Sequence, residues 1–287
     1  MENLGFIGLG NMGGNISRCL IDKKHQLTLY DKNKAVLDSF NGKANLAANL
    51  AEVFAKSQIV FLSLPNSDEV EGAVKESFKT DMSGKTIIDL STSYPISTQN
   101  LYNKLKERNC SLMDVPLLAG PAEARAGTLM CMAAGDKSDF ERCKPLLKEF
   151  CIKIDYVGPI GYAHTTKIMM NFTGLMYAML LGQMFPLAEK LGIDPRELYK
   201  VMDNEIFSNW IYGFYPPKMI DRTYDMAFSL ELALKDLNYM KKLYEQFDAS
   251  SYTLEGGIKL LEKAVEQGKG KLDYSQLASV VYQELGL

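Results

Sequence analysis

Three groups of residues have types and spacings that could do chemistry. The first is Gly8-Leu9-Gly10-Asn11-Met12-Gly13, a G-x-G-x-x-G run. Gly8 permits a tight turn, Gly10 lets a ligand approach the backbone, and Gly13 lets a helix pack closely on a strand. Asn11 and Met12 would then open a helix whose first N–H groups and positive dipole end suit a pyrophosphate. The second is Asp31, 18 residues after Gly13 (31 − 13). That is near the ~20-residue spacing of a carboxylate that holds the adenosine ribose hydroxyls. A carboxylate there repels a 2′-phosphate and favours NAD, whereas Lys32 and Lys34 could reach such a phosphate and leave NADP open. The third is Lys167 with Asn171, four apart and so on one face of a helix. The next turns on that face carry Gly174, Ala178 and Gly182, small enough to admit another backbone or a cofactor. A cation heading an apolar helix is costly unless it is paired or useful. The alternative is a solvated lysine with no role.

The elements that must position these groups follow from the apolar pattern. Leu4–Ile7, Leu27–Tyr30, Ile59–Leu64, Thr86–Leu90 and Ser111–Val115 are short apolar runs, with Thr128–Ala133 and Ile152–Val157 as two more. Helix-like segments lie between them, including Asn11–Ile21, Asp68–Ser77, Ile96–Arg108 and Asp139–Phe150. This alternation predicts an α/β, doubly wound, mostly parallel sheet of the Rossmann type. From Tyr162 onward only helical periodicity remains. A long helix over Tyr162–Leu191 is expected, ending at Gly192, with Asp194-Pro195 opening the next. Two domains result, an α/β domain over 1–161 and an all-α domain over 162–287, joined by the long helix. The aromatic stretch Phe207–Tyr215, followed by Pro216-Pro217, reads as core or subunit packing.

Composition excludes several classes. The chain has 287 residues, 47% hydrophobic and 23% charged, with a net charge of −3. It carries no basic surplus for nucleic acid. Five cysteines without a C-x-x-C pair and two histidines make a disulfide framework or a metal site unexpected, and point to a reducing, cytoplasmic setting. No signal peptide is expected. Ile168–Ala188 is 21 residues without a charge, long enough to span a bilayer. Asn171, Thr173, Gln183 and Pro186 inside it favour a buried helix over a membrane span.

Beyond these features the whole chain resembles the β-hydroxyacid dehydrogenases. Gly5–Gly13 is similar to their opening fingerprint, Leu64-Pro65-Asn66 to their adenosine-side loop, and Asp89-Leu90-Ser91-Thr92 to their D-x-S-T stretch. Asp114–Leu129 is similar to their substrate loop, Gly161–Asn171 to their catalytic helix, and Phe228–Asp236 to an F-x-x-x-x-x-x-K-D element. The resemblance implies that Leu64, Pro65, Thr92, Phe228 and Lys235 meet the cofactor, the last near the nicotinamide. It implies Lys167 as acid/base, Asn171 orienting the substrate or Lys167, and substrate contacts at Leu118, Ala119, Gly120 and Asp236. Arg125 is either a contact for a substrate anion or a plain surface residue, and His164 is expected at the helix start without a catalytic role. Two departures stand out. The family's loop reads D-x-P-V-S-G-G, whereas here Leu118 stands for the serine and Ala119 for the first glycine. The family's helix reads K-x-x-N-N, whereas here Met170 precedes Asn171.

The resemblance therefore implies hydride transfer between NAD and a small β-hydroxyacid or its semialdehyde or keto counterpart, and the small, apolar helical domain suggests a homo-oligomer. Alternatives are an NADPH-dependent glyoxylate or succinic semialdehyde reductase, and a non-catalytic dinucleotide sensor. A decarboxylating 6-phosphogluconate-type enzyme is disfavoured, because it carries a histidine where this chain has Met170 and is much longer.

Overall fold

The computed structural model describes residues 3–287. Among these residues nine strands form one sheet: β1 Leu4–Ile7, β2 Leu27–Tyr30, β3 Asn45–Leu46, β4 Ile59–Leu62, β5 Thr86–Asp89, β6 Ser111–Asp114, β7 Leu117–Leu118, β8 Leu129–Ala134 and β9 Cys151–Gly158. Their order is β3-β2-β1-β4-β5-β6-β8-β7, with β9 on β8. The first six strands are parallel, whereas β8 runs antiparallel to β6 and β7. Thirteen α-helices accompany them among the described residues: α1 Asn11–Asp22, α2 Lys34–Asp38, α3 Leu50–Lys56, α4 Ser67–Ser77, α5 Pro95–Lys106, α6 Pro121–Ala126, α7 Lys137–Leu147, α8 Tyr162–Lys190, α9 Pro195–Met202, α10 Trp210–Ile220, α11 Leu230–Glu245, α12 Leu254–Ala264 and α13 Leu277–Glu284. The expected α/β domain with a doubly wound sheet, the long helix and the all-helical remainder are all present.

The apolar runs are continuous because the central strands are buried on both faces. Alternate residues divide between two cores. Phe6, Leu29, Phe61, Ile88 and Met113 pack on one face, and Ile7, Val60, Leu62, Ile87 and Leu112 on the other. β3, β7, α2, α3 and α6 were not anticipated. They are two to seven residues long, too short for a periodic signal.

The chain divides into two compact units, Met1–Lys167 and Ile168–Leu287, so the division falls inside α8. In the second unit the stripe Gly174, Ala178, Gly182 packs against protein. A Cβ on Gly182 would lie 2.5 Å from Leu277 of α13, and one on Gly174 would lie 3.3 Å from Ile211 of α10. The small residues therefore serve helix packing, not cofactor approach. Among the described residues α8 alone is long and apolar enough to cross a membrane. The aromatic stretch from Trp210 onward lies in α10, which runs through Pro216 and Pro217. Its start is fixed by the Asn209 side chain accepting from Tyr212 N, and buried Tyr212, Tyr215 and Met219 hold it despite two missing backbone donors.

Candidate active site

The glycine run sits between β1 and α1. Gly8 has φ +89, and a Cβ there would lie 2.3 Å from Ser63 O. A Cβ on Gly13 would lie 2.0 Å from Gly8 O, so the strand–helix approach requires glycine. Gly10 differs: no protein atom lies within 4 Å of where its Cβ would be. Nothing in the protein forbids a side chain there, so the open space suits a ligand against the backbone. α1 begins without a side-chain cap and without an acidic residue in its first turn. Its first N–H groups at Asn11 and Met12 therefore remain available to an anion.

Gly8, Gly10, Asp31, Leu64 and Pro65 line one cleft of about 720 Å³ at the C-terminal ends of β1, β2 and β4. Asp31 anchors the glycine loop itself. Its Oδ2 accepts from Leu9 N at 2.6 Å and its Oδ1 from Asn33 N at 2.7 Å. Each oxygen keeps a further acceptor position. Asn66, from the same loop as Leu64 and Pro65, lines the cleft too, as do Tyr30, Asp68 and Glu69, which were not anticipated. Lys32 is paired with Glu69 at 2.7 Å, and that carboxylate pushes the Lys32 ammonium above its ordinary range. Lys34 meets Asp38 at 3.4 Å. These residues fit the adenosine half of a dinucleotide.

In the loop after β6 the residues expected to meet the substrate also have partners within the protein. Leu118 packs with Met132, Ala134 and Ala163, so its side chain is engaged in an apolar cluster. Ala119 adopts φ +81, the left-handed region that favours the glycine the family places there. The N–H of Gly120, an expected substrate contact, donates to Glu123 Oε2 at 2.9 Å. That is the acidic half of a capping box at the start of α6, since Gly120 has no side chain to return the bond. Arg125 is paired with Asp22 at 2.7 Å on the surface. Thr92 is half-buried after β5.

Lys167 is half-buried in the second turn of α8. In the helical unit Asn171 Nδ2 donates to Asp236 Oδ2 at 2.6 Å, and the other oxygen of buried Asp236 lies 3.2 Å from Lys235 Nζ. Asn171, Lys235 and Asp236 thus form one polar group. Phe228 is half-buried ahead of α11, its N–H donating to Asp273 at 3.1 Å. The buried Asp273 also accepts from Ala227 N, Ser275 N and Ser275 Oγ. His164, expected to be idle, is fully buried and linked to Ser91 and Thr98. The described residues contain no cluster of three metal-ligating side chains.

Comparison with known proteins gives this geometry a family. Residues 3–158 match the family described as the NAD binding domain of 6-phosphogluconate dehydrogenase. Residues 161–281 match the NAD-binding family of NADP-dependent 3-hydroxyisobutyrate dehydrogenase. The chain is 28% identical to 2-hydroxy-3-oxopropionate reductase of Escherichia coli, covering 97% of this chain and 96% of that one. It is also 28% identical to 3-sulfolactaldehyde reductase of Escherichia coli, covering 100% and 98%. Among solved structures, Mycobacterium tuberculosis 3-hydroxyisobutyrate dehydrogenase with L-serine superposes at a TM-score of 0.89, with 22% identity and coverage of 98% and 99%. With both halves matched in order and relatives aligned end to end, the chain belongs to the β-hydroxyacid dehydrogenase family of NAD(P)-dependent oxidoreductases.

Proposed function

We propose that this protein oxidises a small β-hydroxyacid, or reduces the matching semialdehyde or keto acid, with Lys167 as acid/base and NAD as the preferred cofactor. The observation that carries the reading is the single cleft lined by Gly8, Gly10, Asp31, Leu64 and Pro65. Residues 1–161 hold the dinucleotide, and residues 162–287 contribute to substrate binding and assembly. Bound NAD(P) accepts or supplies the hydride. Lys167, as an ammonium, donates the proton that the carbonyl oxygen needs during reduction, and as an amine it removes the hydroxyl proton during oxidation. Asn171 keeps an amide oxygen free of Asp236 to orient the hydroxyl. Thr92, Phe228 and Lys235 belong to the nicotinamide side, and Asp236 to the substrate.

NAD is favoured by charge. Asp31, Asp68 and Glu69 line the cleft against Lys32, and Lys32 is already paired. A 2′-phosphate would meet net negative charge. Assembly with a second copy is supported by exposed apolar side chains of the helical unit, among them Leu180, Leu187, Leu191, Ile193 and Val201. Five free, buried cysteines fit a reducing compartment such as the cytoplasm.

The test is a panel of glyoxylate, succinic semialdehyde, 2-hydroxy-3-oxopropionate and 3-hydroxyisobutyrate with each cofactor, followed by NADH or NADPH absorbance. Turnover is expected, faster with NADH, with kcat falling roughly 10³-fold in Lys167→Ala, in the middle of the range that acid/base groups supply. Cofactor binding without turnover of any substrate would instead identify a sensor.

A further inference from the structure

His164 is fully buried, and its ring joins segments that carry separate parts of the site. Nε2 lies 3.1 Å from the Ser91 carbonyl oxygen. A carbonyl only accepts, so Nε2 carries a proton and donates it. Nδ1 lies 2.9 Å from Thr98 Oγ1 in α5. Two buried carboxylates flank the ring, Asp89 at 3.8 Å and Asp114 at 3.9 Å. They sit opposite each other at the ends of β5 and β6.

Each carboxylate is otherwise committed. Asp89 accepts from Ser91 N at 2.9 Å and Ser93 Oγ at 3.0 Å. Asp114 accepts from Gly161 N and His164 N, both at 2.8 Å, so it holds the first turn of α8. Ser91 extends the network, because its Oγ accepts from Leu64 N at 2.9 Å. The adenosine-side loop, the loop bearing Thr92, the strand leading into the 114–120 loop and the start of α8 thus converge on one imidazole. Lys167 follows His164 by three residues, about one helical turn. A buried polar network with every member satisfied is rigid, and it fixes what is attached to it.

We propose that His164 is the positioning residue of the active site: its ring, clamped between Ser91 and Thr98, sets where Lys167 stands relative to the loop bearing Thr92. The proposal rests on the reading of Lys167 as acid/base. A displacement of about 1 Å can cost roughly 10²-fold in rate, so a device of this kind acts on kcat.

The test is a double-mutant cycle in the full-length enzyme, with the best-reduced semialdehyde of the panel and NADH. His164→Asn is expected to lower kcat about 30-fold or more, with the NADH Kd unchanged within about two-fold. Thr98→Val, which removes the hydroxyl that faces Nδ1 and also lies 3.3 Å from the Tyr94 carbonyl oxygen, is expected to lower kcat about 3- to 10-fold. Both losses should vanish in a Lys167→Ala background, because a residue that acts through Lys167 has nothing left to position. Wild-type kcat in both single variants, or losses that add in the double variants, overturns the proposal. Should His164→Asn not fold, Thr98→Val decides by the same criterion. Lys167→Ala with full turnover sinks the acid/base reading itself, whereas an inactive Lys167→Ala beside a normal His164→Asn and Thr98→Val sinks the positioning role alone.

Discussion

The cofactor cradle and the polar clusters near Lys167 and Asn171 are built in different ways. The cradle is made of backbone. Its parts are a turn at Gly8, a strand–helix approach at Gly13 and open space at Gly10. One side chain, Asp31, ties the loop at Leu9 from 22 residues away. The clusters are made of buried side chains that meet across long separations. His164 bonds Ser91 73 residues earlier, and Asn171 bonds Asp236 65 residues later. A backbone cradle tolerates many side chains but few shape changes. A side-chain cluster tolerates surrounding variation but no missing partner, since an orphaned buried polar group costs about 1–3 kcal/mol.

The largest expected effect separates two glycines that look alike in sequence. Gly13→Ala forces a Cβ into a carbonyl oxygen 2.0 Å away. Thermal unfolding should show a loss of about 3 kcal/mol or more. Gly10→Ala meets no protein atom, so stability should hold within about 1 kcal/mol while fluorescence titration shows NADH affinity falling at least about 10-fold, the loss of one close phosphate approach. Equal melting losses for both would erase the contrast between a packing glycine and a binding glycine.

A smaller effect sharpens the comparison at the 114–120 loop, where a side chain has intruded on backbone. Glu123 holds the Gly120 N–H. Glu123→Gln removes a negative charge from this loop, and KM for carboxylate substrates should fall about 3- to 10-fold with kcat little changed, as for a modest charge effect. A higher KM would mean that the Glu123 contact to Gly120 supports substrate binding. Smallest is Ala119→Gly. Relief of a left-handed alanine is offset by the greater entropy of glycine in the unfolded chain, so a gain of up to about 1 kcal/mol is expected by urea denaturation. A loss would show that the loop is not strained.

The fold was legible because its signals are local. Leu4–Ile7, Leu27–Tyr30, Ile59–Leu62 and Thr86–Asp89 are apolar runs that a two-faced parallel sheet must bury. The short β3, β7 and α2 escaped notice because two to five residues carry no period. Lys32 was ambiguous until Glu69, 37 residues on, proved to be its partner. His164 looked idle because neither Asp89 nor Asp114 announces in sequence that it faces a ring.

The amino-acid sequence by itself determined the sheet, the long helix, the glycine turn and the carboxylate at the end of β2. Each follows from residue type and spacing within about 30 positions, where backbone sterics and burial decide. Only the tertiary structure decided which buried polar groups meet: Asp114 with the start of α8, His164 with Ser91 and Thr98, and Asn171 with Asp236. The physical reason is that a polar side chain taken from water must find a partner wherever the packed chain brings one, and no local pattern records which one that is.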